Sequence, residues 1–236
     1  MKSRTLTCIT AMTLFAGLAT PVRLGAQHHR YKLIDLGTFG GLGSYVEPLG
    51  NGGPIMSPAG AVVGQAETSI PVLTTTNPFC DPGTNIFRAL GWLHGVVPDL
   101  GTLPIGHCSN TQGVNASGDI VGNSENGITD PLLGLTELRA VLWKGAKIVN
   151  LGTFGGNHSA AFGINNQSQV VGFALNAIPD PFSLFDLQIL GSSNGTQTRA
   201  SFGRTSSSTS MTITVKLTTS YRIWVPWVAP MLGLYI

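Results

Sequence analysis

The chain has 236 residues, of which 42% are hydrophobic and only 10% are charged, and its net charge at neutral pH is +2. So small a positive charge, with no run of Lys or Arg among aromatic residues, argues against a nucleic-acid-binding protein. The 31 glycines are nearly twice the frequency in an average protein, which is about 7%. This composition favours short strands joined by tight turns.

The N-terminus predicts an export signal. Lys2 and Arg4 precede an uncharged, mostly apolar stretch at residues 6–18, and Leu24-Gly25-Ala26 precedes Gln27. A basic start, an apolar centre and small residues before a cleavage point are typical of a secretory signal peptide. The apolar stretch is shorter than the ~20 residues that span a membrane. We therefore predict a signal peptide at residues 1–26 and a secreted or periplasmic mature chain without membrane association.

Three sequence blocks recur in the same order along the chain. The first block is Asp/Asn-Leu-Gly-Thr and begins at Asp35, Asp99 and Asn150. The second block ends in Val-Gly, at Gly64, Gly122 and Gly172. The third block begins with Arg-Ala and ends with Trp, from Arg88 to Trp92 and from Arg139 to Trp143. Such self-similarity indicates repeated structural units.

Each unit is predicted to contain about four short strands. Asn115 and Gly118 are turn residues between two apolar segments, which indicates a hairpin, and Lys144-Gly145 indicates a second one. Four strands in about fifty residues are typical of a β-propeller blade. We predict an all-β fold: an incomplete β-propeller-like array of about three repeats of short antiparallel strands. The repeat domain is predicted at residues 27–200, with units at roughly 31–98, 99–149 and 150–200.

The three blocks in this order resemble the extracellular HAF-type repeat proteins of bacteria, over roughly residues 31–200. The name-giving His-Ala-Phe reads Arg88-Ala89-Leu90 and Arg139-Ala140-Val141 in this chain. The resemblance implies a secreted, propeller-like protein and implies no assigned activity.

Polar stretches interrupt the units at residues 68–86, 123–138 and 176–197. Insertions in repeat proteins commonly lie on one face of the array, where binding surfaces form. These stretches are therefore the first candidates for ligand recognition. The alternative is that they are solvated linkers that bind nothing.

Removal of the signal peptide leaves two cysteines, Cys80 and Cys108. In an oxidising compartment such a pair favours a disulfide over two separate buried thiols. The bridge would require Cα atoms within about 7 Å of each other.

No pattern in the chain predicts a catalytic, cofactor-binding or metal-binding residue. Gly191-Ser192-Ser193-Asn194-Gly195 matches G-x-S-x-G, but no His follows it. His158 aligns with Cys108 and not with His107, so the units share no metal ligand. We predict a non-catalytic binding or structural module for an unknown extracellular ligand, a polysaccharide or a protein. The alternative is a propeller-type hydrolase or lyase that acts on extracellular polysaccharide, with acids such as Asp35 and Asp99 at a central channel.

The blocks stop after Ala200. A reading frame shifted by one base permits Phe-Leu-Trp at residues 201–203, which completes the third block, and another Asp-Leu-Gly-Thr segment from Arg222 onward. We therefore predict that residues 201–236 are translated out of frame and pack poorly on the repeats. Alternating Thr and apolar residues at 211–217 predict one accidental edge strand, and Trp224 and Trp227 are predicted to lack a pocket.

Overall fold

The computed structural model describes residues 31–46, 53–73, 80, 84–183, 195–205 and 211–212. The chain divides into a unit that ends at Asp35 and a second unit from Leu36 onward, which contains every strand described below. The predicted signal peptide, most of the G-x-S-x-G match, Trp224 and Trp227 lie outside the described residues.

The described part of the chain is all-β, without a helix, and forms three antiparallel sheets. The first sheet contains β1 (Gly40–Tyr45), β2 (Val62–Pro71) and β3 (Asn85–Trp92). The second contains β4 (Ser109–Val114), β5 (Ile120–Thr129), β6 (Thr136–Lys144) and β7 (Lys147–Asn150). The third contains β8 (Gly155–Ile164), β9 (Gln169–Asp180), β10 (Gly195–Thr205) and β11 (Met211–Thr212). Strands that follow one another in the chain are neighbours in each sheet.

Both predicted hairpins of the second sheet are confirmed. The Asn115 side-chain oxygen accepts hydrogen bonds from the N–H groups of Ser117 (3.0 Å) and Asp119 (2.9 Å), and Gly118 has a φ of 80°. These bonds hold the turn between β4 and β5. In the second hairpin, Lys144 pairs with Lys147 across the turn.

Close strand spacing explains the glycine that ends each Val-Gly block. This glycine lies on the second strand of each sheet, where a Cβ atom would collide with a carbonyl oxygen of the first strand. The colliding pairs are Gly64 with Tyr45, Gly122 with Asn110, and Gly172 with Ala160. Any other residue would push the two strands apart, so the block requires glycine at this position.

The three sheets pack face to face, and successive residues of a strand point to opposite faces. The core between the first and second sheets includes Val63, Ala89, Ile120, Val141 and Trp143. The core between the second and third sheets includes Val121, Ala140, Leu142, Ile164 and Val170. In the second sheet we call the side that carries Ile120 and Trp143 the Trp face, and the side that carries Val121 and Leu142 the Val face. In the other two sheets the same names denote the sides that correspond to these by register.

In the described part of the chain, the core between the second and third sheets contains no tryptophan. Gly203 pairs with Val170 in the third sheet, whereas Trp143 pairs with Ile120 in the second. A cavity of about 20 Å³ lies beside this glycine, and Val170 and Phe202 are among the residues that line it. The interface therefore has room for a methyl group or a water molecule and not for a second indole.

One short segment of the connection between β1 and β2 contacts both other sheets. The carbonyl oxygen of Pro54 accepts a hydrogen bond from the N–H of Val114 (2.9 Å), and the N–H of Gly53 donates to the carbonyl of Phe162 (2.6 Å). A Cβ atom at Gly53 would lie only 3.1 Å from the Cα of Gly163. The three sheets therefore converge at this segment.

The strands extend farther than the sequence predicts. The stretch 123–138 was expected to be an insertion, but β5 runs to Thr129 and β6 begins at Thr136, so only residues 130–135 connect them. At the C-terminal side, β10 continues through Thr205 and pairs with β9, and Met211–Thr212 adds a two-residue strand to its edge. The rest of the predicted edge strand lies outside the described residues.

Candidate functional site

One edge of the stacked sheets carries the connections between β2 and β3, between β5 and β6, and between β9 and β10. We call the segment that leads from one sheet into the next a connector. The connector from β3 to β4 ends at the same edge, because Ser109 at the start of β4 pairs with Ser124 near the end of β5. Likewise Gly155 at the start of β8 pairs with Asn176 of β9. We call this side of the molecule the loop edge; the described residues of the three polar stretches lead to it.

The Leu-Gly-Thr blocks form the turns of the connectors. The Asp99 carboxylate accepts a hydrogen bond from the N–H of Gly101 (2.8 Å), and the Asn150 side-chain oxygen accepts one from Gly152 at the same distance. Both glycines have positive φ angles, 73° and 78°. Because Asn150 performs the same task as Asp99, this position requires an acceptor oxygen and not an acid.

The predicted cysteine pair lies at disulfide distance. Cys80 belongs to the connection between β2 and β3, and Cys108 directly precedes β4; their Cα atoms are 6.5 Å apart. Both residues are buried. The bridge ties the first loop of the edge to the connector that leads into the second sheet.

A buried histidine–aspartate pair ties the second loop to the following connector. His158 Nε2 lies 2.9 Å from the Asp130 carboxylate, and the N–H of Leu138 donates to His158 Nδ1 (3.1 Å). Because Nδ1 accepts a hydrogen bond, the ring proton lies on Nε2, and the neutral imidazole donates to Asp130. His158 lies fifty residues after Cys108, so the pair occupies the place that the disulfide holds one sheet earlier.

A second polar group holds the strands next to this pair. Arg139 donates to Glu137 (2.6 Å), and Asn126 donates to the same carboxylate oxygen (2.7 Å). Burial lowers the pKa of the Arg139 guanidinium, and the charges of Glu137 and Asp130 oppose that shift. The corresponding acceptor in the third sheet is Gln197, to which Asn176 and Arg199 donate.

One isoleucine of each sheet projects from the loop edge. Ile70, Ile128 and Ile178 each lie six residues after the glycine of a Val-Gly block and are 52%, 57% and 53% exposed. The N–H of each isoleucine donates to a side-chain oxygen two residues earlier, which belongs to Thr68, Asn126 and Asn176. These bonds fix the backbone, so each apolar side chain is held outward. The composition argument did not reveal these residues, although their equal spacing from the glycines was a readable signal.

Two Asp-Pro turns add two more apolar side chains to the same edge. Asp130 accepts a hydrogen bond from the N–H of Leu132 (2.7 Å), and Asp180 accepts one from Phe182 (2.9 Å). Leu132 and Phe182 are both exposed. The aspartates lie fifty residues apart, in keeping with the spacing of the blocks.

Ile105 is the most unusual residue of the loop edge. Its side chain is 80% exposed, and its φ angle is 66°. The other two connectors have Gly40 and Gly155 at the matching point of the turn, with φ angles of 97° and 103°. A β-branched residue at positive φ is strained, and such strain is found most often at functional sites.

Five carboxylates of the strands, connectors and loops serve the fold. Each accepts a hydrogen bond from the chain itself: Asp99, Glu125, Asp130, Glu137 and Asp180. Among the described residues, no group of three or more His, Cys, Asp or Glu side chains is placed to hold a metal ion. The described residues also contain no helix of the length and hydropathy that a membrane crossing requires.

Comparison of the chain with protein-family models, with curated proteins and with solved structures gives no match. The geometry of the loop edge is therefore the basis for a functional assignment.

Proposed function

We propose that this chain is a secreted, non-catalytic binding module that recognises its ligand with the apolar side chains of the loop edge. The observation that carries the proposal is the row of Ile70, Ile128 and Ile178, whose side chains are each more than half exposed. The backbone N–H of each isoleucine is fixed by a hydrogen bond to a side-chain oxygen two residues earlier. Exposed apolar groups on a fixed backbone bind without a large loss of conformational entropy. They also mark interaction sites on soluble proteins.

A propeller-like arrangement of the sheets is part of this proposal. Its support is the same Val-face-on-Trp-face contact in both interfaces, together with the convergence of Gly53, Gly113 and Gly163. In a propeller, loops of corresponding hairpins gather on one side of the ring and form a single binding surface. The resemblance to HAF-type repeat proteins leads to the same architecture.

Secretion is supported by the N-terminal signal pattern and by the cysteine pair. Disulfides form and persist in extracellular and periplasmic compartments and are rare in the cytosol. The Cα separation of 6.5 Å between Cys80 and Cys108 fits such a bridge.

The chemistry of the edge favours a protein ligand over a polysaccharide. Isoleucine, leucine and phenylalanine side chains offer no hydrogen bonds, so the hydroxyl groups of a sugar would lose water without gaining a partner. Apolar groups of a protein would gain from the same burial. We therefore propose an extracellular protein with an exposed apolar strip as the ligand.

Binding assays on the exported protein test this proposal. Purified extracellular proteins and a panel of polysaccharides are passed over the immobilised chain, and the measurement is repeated with the variant Ile70→Ser/Ile128→Ser/Ile178→Ser. We expect binding of a protein that the triple variant loses. The matched control is Val96→Ser, because Val96 is exposed in a turn at the opposite edge. Equal binding by both variants would refute the loop edge as the site.

The same polysaccharide panel tests the catalytic alternative. A hydrolase or lyase would release shortened products, and their accumulation with time would overturn the non-catalytic proposal. The fold-holding bonds of Asp99 and of Glu137 support the non-catalytic proposal, because carboxylates engaged in this way are poorly available to a substrate.

A further inference from the structure

Among the sheets of the described residues, the third has an apolar face against which no other sheet packs. Val171 pairs with Phe202, as Val121 pairs with Leu142 in the second sheet. Val121 and Leu142 are buried between sheets, whereas Val171 and Phe202 are 50% and 51% exposed. Phe162 adds a third exposed apolar side chain beside them, in ring contact with Phe173 at 5.5 Å. By register, this surface is the Val face of the third sheet.

The first sheet has the opposite kind of surface at the other end of the array. Val62 pairs with Trp92, as Ile120 pairs with Trp143. Because Val63 points into the core toward the second sheet, Val62 and Trp92 point away from it. Met56 pairs with Val62 and is exposed on the same side. The Trp face of the first sheet is therefore directed outward.

We infer that the chain self-associates head to tail, with the Val face of the third sheet seated on the Trp face of the first sheet of a second copy. The chain forms this contact twice within itself, once between each pair of successive sheets. Both surfaces have the kinds of side chain that the contact between the first and second sheets uses. The Trp face of the first sheet has Trp92 beside Val62, and the Val face of the third sheet has Val171 beside Phe202. Each surface thus fits the other better than it fits itself.

A head-to-tail contact either closes a ring or continues as an open chain. The described residues of two copies provide six sheets, and closed propellers contain four to eight. A ring of two copies is therefore the expected assembly. Ring closure rests on the propeller-like arrangement proposed above, whereas the contact itself rests only on the packing of the sheets and does not involve the loop edge.

Disulfide trapping between two copies tests the contact. One copy carries Trp92→Cys and the other carries Val171→Cys. In the contact between the first and second sheets, the residues that correspond to these two are Trp143 and Val63, and they lie in the same core. We expect a cross-linked pair in the mixture of the two variants under non-reducing conditions. In the control mixture Val96→Cys replaces Trp92→Cys, since Val96 lies in a turn away from both faces. A mixture that cross-links no more than this control overturns the inference.

Sedimentation of the full-length chain with its native residues tests the assembly independently. We expect twice the monomer mass at micromolar concentration, and about tenfold weaker association for Phe202→Ser, which removes a large apolar contact. Phe202 is half exposed in the single copy, so its loss leaves the fold of that copy intact. A monomer at all accessible concentrations contradicts the contact. Species larger than a dimer, if the substitution Phe202→Ser dissociates them, support the contact and contradict ring closure.

Discussion

The strained backbone of Ile105 predicts a trade-off between stability and binding. Replacing Ile105 by glycine relieves the positive φ angle, so we expect the free energy of unfolding to rise by about 1 kcal/mol. The same change removes an exposed apolar side chain from the loop edge, so ligand binding should weaken. Urea denaturation and the binding assay measure the two effects.

The control for this prediction is Ile128→Ser, because Ile128 is exposed on the same edge and is not among the residues with positive φ. It should weaken binding and leave stability within about 0.5 kcal/mol. A loss of stability in Ile105→Gly would show that the isoleucine contributes to packing and is not strained.

The buried pair of His158 and Asp130 is predicted to be a stability element of the loop edge. His158→Ala leaves the Asp130 carboxylate without one donor and the Leu138 N–H without its acceptor. We expect the free energy of unfolding to fall by about 3 kcal/mol, which equilibrium denaturation measures. His107→Ala, at an exposed site in the preceding connector, should change it by less than about 0.5 kcal/mol. Equal effects of the two substitutions would contradict a specific role of the pair.

Strand β10 predicts a stabilising substitution beside the cavity between the second and third sheets. Gly203→Ala adds one methyl group next to the cavity of about 20 Å³ that Val170 and Phe202 help to line. The methyl group fills part of the cavity, and alanine restricts the unfolded chain more than glycine does, so we expect a gain of about 0.5–1 kcal/mol and a higher Tm. Gly145→Ala is the control: Gly145 has a φ of 58°, which alanine adopts only with strain, so the Tm should fall. A lower Tm for Gly203→Ala would mean that the interface has no room for a methyl group.

Hairpins and turns were the elements most accessible to sequence reasoning, because their chemistry is local. Asn115 and Gly118 specify their turn within five residues, and the two sulfur atoms left after signal removal allow a single pair. The extent of β5 was not accessible, because Asn126 and Gly127 are weak strand residues, and the strand continues past them to the pair of Thr129 with Thr136 of β6. His158 was overlooked as a partner of Asp130 because the two residues approach only after the sheets pack.

The whole molecule provides a test of the predicted frame shift. Residues 201–204 pair along β9, so they complete a strand whatever their origin. Beyond them the sequence offers a Ser/Thr run and apolar residues such as Trp224 and Trp227 with no matching block. We expect a chain that stops after Thr205 to be more soluble than the full chain, because it lacks apolar residues that match no repeat block.

The control truncation stops at Ala200 and uncovers part of β9. It should be less soluble than the chain that stops at Thr205, since an open strand edge promotes aggregation. Higher solubility of the full-length chain than of the Thr205 truncation would contradict the out-of-frame interpretation, and resequencing the gene across codon 200 tests it directly.

The Gly53-Pro54 segment has a consequence for how the molecule unfolds. In a linear repeat array each unit touches only its neighbours, so unfolding can start at one end and spread stepwise. Here the segment donates to Phe162 of the third sheet and accepts from Val114 of the second, so the loss of the first sheet removes contacts from both others at once. The three sheets should therefore melt in a single cooperative transition, and an end unit cannot fray alone.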